Sequence, residues 1–175
     1  MNYAAIKFND IANGLGCRTS PFVSGCTHHC PECFNQQAWD FSYGSPFTEQ
    51  TQDEILASLM PSYISGLTIL GGEPMEIVNQ EALLPFLCKV RDSFPGKTIW
   101  IYSGYTWEEL MDESNHRCHG PYTRKILSLA DILVDGEFQI ARKNIALAFR
   151  GSENQRIIDI QKSLRENAVI PAENL

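Results

Sequence analysis

The chain has 175 residues, 43% apolar and 20% charged, which fits one globular domain and excludes a disordered or fibrous chain. Its 21 acidic and 14 basic residues give a formal net charge of −7, which argues against a general nucleic-acid binder. No apolar run approaches the ~20 residues of a membrane span. Residues 1–10 lack the basic-then-apolar pattern of an export signal, so a cytoplasmic protein with no membrane partner is expected. Six cysteines are sparse for a disulfide scaffold, and a reducing compartment turns attention to metal or redox roles.

No repeat, linker or low-complexity tract divides the sequence, so residues 1–175 read as a single domain. Residues 3–24 are extended and rich in turn signals, with Asn13-Gly14 and Leu15-Gly16 marking turns. Residues 19–24 form a short predicted strand. It delivers the chain to residues 25–35, G-C-T-H-H-C-P-E-C-F-N, where Cys26, Cys30 and Cys33 stand in a Cys-x3-Cys-x2-Cys spacing. Three thiolates on one loop can hold an iron–sulfur cluster, and a cube of four irons would keep one iron without a protein ligand. An open metal position is where chemistry occurs. Upstream, Cys17 reads as a free, partly buried thiol.

Beyond the cysteines, residues 34–39 suggest a short helix ended at residues 43–46. Thr48 is an N-cap for a helix carrying Ile55, Leu56, Leu59 and Met60 at helical spacing, closed by Pro61. Residues 67–70 are a short apolar run, read as a buried strand. Gly71-Gly72-Glu73-Pro74 follows, and two glycines at a strand end permit close backbone approach to a ligand. The next helix carries Leu83, Phe86, Leu87 and Val90, with Cys88 expected in the core. Pro85 implies that this helix either starts near Leu84 or kinks there.

Residues 98–102 are rich in strand formers. Thr106 and Glu109 make a capping box for the helix after them. Residues 112–122 read as a polar loop, where His116, Cys118 and His119 are expected to be solvated rather than to bind metal. A short helix at residues 126–129 and a strand at 131–134 follow, then the turn Asp135-Gly136. Ile157, Ile158 and Ile160 suggest a final strand or extended arm, and the tail from about residue 167 is expected to be loosely held.

Strands thus alternate with helices, which implies a largely parallel α/β sheet. Right-handed crossovers bring the strand C-termini to one edge, where such proteins bind ligands. Cys26, Gly71, Ser103 and Asp135 each fall at a predicted strand end.

The cysteine spacing with G-G-E-P at a strand end resembles the radical S-adenosylmethionine superfamily. Asn13-Gly14, the lead-in F-V-S-G-C at residues 22–26, Y-S-G-Y-T-W at 102–107, D-I-L-V-D-G at 131–136 and R-G-S-E-N-Q-R at 150–156 narrow the likeness. Together they resemble the activating proteins of anaerobic, class III ribonucleotide reductase, over nearly the whole chain. The resemblance implies a partial, open TIM-like barrel with the cluster and cofactor at the strand C-terminal edge. It implies a 4Fe–4S cluster on Cys26, Cys30 and Cys33, with S-adenosylmethionine on the fourth iron. Glu32, Cys33, Phe34, Gly71, Gly72, Glu73, Pro74, Ser103 and Asp135 would surround that cofactor. Arg150, Ser152, Asn154, Gln155 and Arg156 would dock the partner or touch the cofactor. The partner would be the glycyl-radical subunit of the reductase, and the electron donor a flavodoxin or ferredoxin. No side-chain acid or base is required, since cluster and cofactor carry the chemistry.

Glu32 departs from the pattern: the superfamily often has an aromatic residue there, and the narrower family a glycine. Other readings remain open. A sister activase would act on pyruvate formate-lyase. A zinc site would use the three cysteines with His28 or His29. A thiol-redox site would use Cys30-Pro31-Glu32-Cys33, and a cluster serving electron transfer alone would normally have four cysteines.

Overall fold

A computed structural model of the chain describes residues 1–173. Seven strands form one sheet: β1 (Asn2–Asp10), β2 (Cys17–Val23), β3 (Ser45–Pro46), β4 (Ile64–Gly71), β5 (Thr98–Ser103), β6 (Ile132–Asp135) and β7 (Arg156–Asp159). Five helices join them: α1 (Glu49–Leu59), α2 (Ile77–Ser93), α3 (Trp107–Met111), α4 (Thr123–Leu129) and α5 (Ile160–Glu166). The strand order is β3-β1-β2-β4-β5-β6-β7. The four central strands β2, β4, β5 and β6 are parallel, while β1 and β7 flank them antiparallel. The sheet does not close on itself, since β3 and β7 are its two edges.

Local signals explain most element ends. Thr48 Oγ1 accepts from Thr51 N at the start of α1, and Thr106 with Glu109 closes a full capping box on α3. α2 begins at Ile77, eight residues before Pro85, so a start near Leu84 is not what forms. Pro85 lies on the exposed side of α2, where the Glu81 carbonyl it deprives of a partner can meet water. Cys88 is half-buried, outside the core. The expected final arm divides in two: β7 ends at Asp159, whose side chain accepts from Lys162 N and starts α5. The tail returns along the free edge of β7, with Ala172 N donating to Ile157 O and Asp159 N donating to Ile170 O. Residues 168–172 are thereby tied to β7 and α5, and the last two residues of the expected tail lie outside those described.

The helices cover one sheet face. Val23, Leu67, Ile69, Ile99, Ile101, Leu133 and Ile158 share a buried cluster with Ile55, Leu59, Leu83, Phe86, Leu87, Val90, Ile126 and Leu127. Alternate residues point to the other face. Low on that face Arg18 is fully buried and bonded through its whole guanidinium. Nε donates to Thr68 Oγ1, Nη1 to Leu15 O and Thr98 Oγ1, and Nη2 to Leu67 O and Thr98 O. Burial pulls its pKa down to about 10, so it stays charged at neutral pH. Two rows higher, Phe22, Leu70, Tyr102 and Val134 line an open cavity beneath the strand C-termini.

Candidate functional site

Two loops at the C-terminal edge of the sheet are bolted together through their backbones. Gly72 N donates to Val23 O at 2.7 Å, Glu73 N to Gly25 O at 2.8 Å and Gly25 N to Ala38 O at 2.8 Å. Asn79 Nδ2 donates to Ser24 O and to Glu73 O. Gly71 sits at φ +115°, outside the range of ordinary L-residues. A Cβ on Gly72 would lie 2.6 Å from Gly25 O and 2.8 Å from Ala38 O. The paired glycines thus let the strand end touch the cysteine loop.

The acidic residues of this edge are tethers. Glu73 is buried, and its carboxylate accepts from Met75 N, Ser103 Oγ and Gly104 N. Its Oε2 also lies 3.2 Å from His28 Nε2. His28 Nδ1 pairs with Glu137 Oε1 at 2.6 Å, which links the cysteine loop to the segment after β6. Burial acts to lower the His28 pKa, but the two carboxylates outweigh it and the net shift is upward. Glu76 accepts from both Thr27 N and Thr27 Oγ1. Arg117 donates to Thr27 O, and its guanidinium lies 5.4 Å over the Tyr105 ring. Thr27, Glu76 and Arg117 escaped the sequence reading as site residues; the one hint was a second glutamate three residues after Glu73.

Cys26, Cys30 and Cys33 all line one cavity of about 750 Å³, which Gly71, Gly72 and Ser103 line as well. All three thiols are free. Burial pushes Cys26 up to about 12 and raises Cys30 as well, so neither ionises at neutral pH without added positive charge. The loop turns through two left-handed residues, His29 at φ +53° and Glu32 at φ +56°. Glu32 is exposed and Phe34 is 98% exposed at the cavity rim.

A family model described as "4Fe-4S single cluster domain" matches residues 12–158. The chain is 40% identical over 159 residues to the anaerobic ribonucleoside-triphosphate reductase-activating protein of Pasteurella multocida (strain Pm70), covering 90% of this chain and 96% of that one. The protein of the same name from Escherichia coli (strain K12) is 36% identical, with 89% and 96% covered. That from Enterobacteria phage T4 is 36% identical, with 90% and 93% covered. The chain belongs to the family of anaerobic ribonucleoside-triphosphate reductase-activating proteins.

In this member of the activating-protein family, both histidines that a Cys3His zinc set would need are engaged elsewhere. His28 is engaged by Glu73 and Glu137, and His29 stacks on Trp39 with centroids 4.6 Å apart. Among the described residues, no three His, Cys, Asp or Glu side chains are gathered around a single ion. Zinc would draw its ligands to ~2.0–2.3 Å of one point. Thiolates on a cube bind different irons and stand further apart. His116, Cys118 and His119 are no site either. The segment is the loop expected, with His116 exposed, but Cys118 is turned into the core with Sγ donating to Glu109 O, and His119 Nδ1 pairs with Leu110 O.

The cofactor residues anticipated from sequence separate into two groups. Glu32, Cys33, Phe34, Gly71, Gly72, Glu73 and Ser103 line the cavity, while Pro74 and Asp135 do not. Asp135 is buried, and its carboxylate accepts from Trp107 N and from Arg156 Nε and Nη2. It positions α3 and β7 and has no face toward the cavity.

The R-G-S-E-N-Q-R segment of this family member is mostly an internal staple. Ser152 Oγ accepts from Gln139 N, Asn154 Nδ2 donates to Glu137 O, and Gln155 Nε2 donates to Gly136 O. Gln155 Oε1 accepts from Gly151 N and Ser152 N. These bonds close the excursion of residues 136–155 into a wall of the cavity. Of the five residues anticipated as docking or cofactor contacts, Arg150 and Gln155 line that cavity; Ser152, Asn154 and Arg156 face inward or elsewhere.

Proposed function

We propose that the chain activates the anaerobic ribonucleoside-triphosphate reductase by installing a glycyl radical on it. Cys26, Cys30 and Cys33 would hold a 4Fe–4S cluster, and S-adenosylmethionine would bind in the same cavity, with Gly71 and Gly72 in its lining. When bound, cluster and cofactor supply a one-electron cleavage of the sulfonium to methionine and a 5′-deoxyadenosyl radical, which takes hydrogen from a glycine Cα of the reductase. A flavodoxin or ferredoxin would furnish the electron.

The chain's own part is to bind, orient and shield. The carrying observation is that three free thiols and the paired glycines line one cavity at the strand ends. Gly71 and Gly72 offer backbone without side chains there. Ser103 presents a hydroxyl beside them, its Oγ fixed on Glu73. Phe22, Leu70, Tyr102 and Val134 form an apolar wall that keeps water from a reactive alkyl radical. The open sheet fits a partial barrel: helices cover one face, and the cavity face remains reachable by a partner loop.

The test is anaerobic reconstitution with iron and sulfide, then addition of S-adenosylmethionine, reductant and reductase. A brown protein whose spectrum changes with S-adenosylmethionine, formation of 5′-deoxyadenosine, and a glycyl-radical EPR signal are expected. Pyruvate formate-lyase in place of the reductase should give no such signal. Retained radical yield in Cys26→Ala, Cys30→Ala or Cys33→Ala would sink the reading, as would zinc uptake without iron.

A further inference from the structure

The chain is acidic as a whole, with a formal net charge of −7. Its main cavity has the opposite bias. Lys7, Lys143 and Arg150 line it, and none of the three enters an ion pair among the described residues. The lining acids are Glu32, exposed on the cysteine loop, and Glu73, whose oxygens are already bonded inside the protein. The cations sit on two walls: Lys7 comes from β1, while Lys143 and Arg150 come from residues 136–155 beyond β6. Lys7 and Lys143 are exposed. Arg150 is half-buried, donates through Nη1 to Gln155 O, and leaves Nε without a partner.

We propose that Lys7, Lys143 and Arg150 form a cationic rim that docks an acidic segment of the reductase as its glycine loop enters the cavity. The inference rests on the function proposed above and names the chemistry of the partner surface. Charge complementarity is the first argument: an acidic chain gathers three cations free of ion pairs in the lining of its main cavity, with Lys7 Nζ 5.1 Å over the Phe22 ring. Spacing is the second. A small anion is best gripped by donors that converge, whereas these cations come from elements toward opposite ends of the sheet, Lys7 from β1 and Lys143 and Arg150 from the segment between β6 and β7. The apolar rim is the third. Ile145, 94% exposed between Lys143 and Arg150 in sequence, and Phe34, 98% exposed on the cysteine loop, both line the cavity and supply the apolar contacts that accompany charge in protein docking. Rim charges act on encounter and on salt dependence more than on the bound complex.

The experiment titrates the full chain with the anaerobic reductase at about 50 mM and about 500 mM salt, where screening differs strongly. Lys7→Gln with Lys143→Gln is compared with wild type, and Arg150→Gln is added separately because it also loses a bond to Gln155. The double variant should raise the reductase Kd about tenfold at low salt and converge on wild type at high salt. The KM for reductase in radical installation should rise in step. An unchanged Kd and salt slope in the double variant would overturn the rim. So would a weakened Kd for S-adenosylmethionine with normal reductase binding, since the cations would then serve a small anion. A wild-type chain that neither binds nor activates the reductase overturns the proposed function and the rim with it.

Discussion

Arg156 grips the buried carboxylate of Asp135 with Nε and Nη2, and with Nη1 and Nη2 it also takes both oxygens of Glu108. One guanidinium thereby ties β7, the end of β6 and the first turn of α3. Arg156→Leu leaves Asp135 buried with Trp107 N as its remaining donor; with Arg156 itself 38% exposed, a loss of about 2–3 kcal/mol is expected for the stranded carboxylate. Urea unfolding reads this directly. The pair also has a pH signature. The hydrogen bond from Arg156, against the opposing effect of burial, holds Glu108 below its ordinary value of 4.5. A lowered folded pKa contributes stability above the unfolded value, and that stability is lost as pH falls through the folded one. Wild type should therefore lose this contribution below about pH 4.5, while Arg156→Leu should show no Glu108-linked slope in that window.

Gly72→Ala tests whether the paired glycines serve the chain's own packing. The added Cβ meets two backbone oxygens, Gly25 O and Ala38 O, and neither can swing aside like a side-chain tip. The cysteine loop must shift away from the strand end. A loss above about 2 kcal/mol is expected, together with poor cluster loading measured as iron per chain. Normal loading with unchanged stability would show that the loops need no such contact.

Glu32 explains itself through its backbone. It sits at φ +56°, where a residue with a Cβ is held at a cost of about 1–2 kcal/mol. Glycine adopts that conformation freely but loses more entropy on folding. Glu32→Gly should be neutral to about 1 kcal/mol stabilising and should retain the cluster. Glu32→Val, β-branched at the same φ, should be worse by at least about 1 kcal/mol. Thermal melting of the three proteins ranks them.

What the sequence showed, and what it hid, follows from the range of each interaction. Thr48, Thr106 and Glu109 act over three residues, and their caps were legible. The four strand ends bearing Cys26, Gly71, Ser103 and Asp135 were legible too, because alternation of strand and helix dictates one edge. β1 was read only as extended chain: its residues are half-buried or exposed until Asp10, so no clean two-residue period betrays it. The destinations of buried charge were hidden. Glu73 bonds to Ser103 and Gly104 thirty residues on, and Asp135 to Arg156 twenty-one residues on. A carboxylate beside a ligand edge looks like a ligand contact until its partners are known. The same holds for Asn154 and Ser152, whose polar atoms close the residue 136–155 excursion from within.

Arg18 gives the last prediction. It is fully buried without a carboxylate partner, and its charge is dispersed over the Thr68 and Thr98 hydroxyls and three carbonyls. Its guanidinium also lies 5.2 Å over the Trp100 ring, which contributes a further cation–π attraction. Arg18→Met keeps much of the length but strips donors from Leu15 O, Leu67 O and Thr98 O. Each buried acceptor left unpaired costs about 1–3 kcal/mol, so a total of at least about 3 kcal/mol is expected. Arg18→Lys should recover part of it, because an ammonium supplies three donors in place of five. Arg18 lies at the foot of the cavity face and the cysteines at its head, so the two lesions should separate. Arg18→Met should lower the urea midpoint while folded protein still loads iron normally. If iron loading fell at conditions where the variant is fully folded, the floor and the cysteine loop would be coupled through β2, and the division between a rigid base and a reactive rim would be wrong.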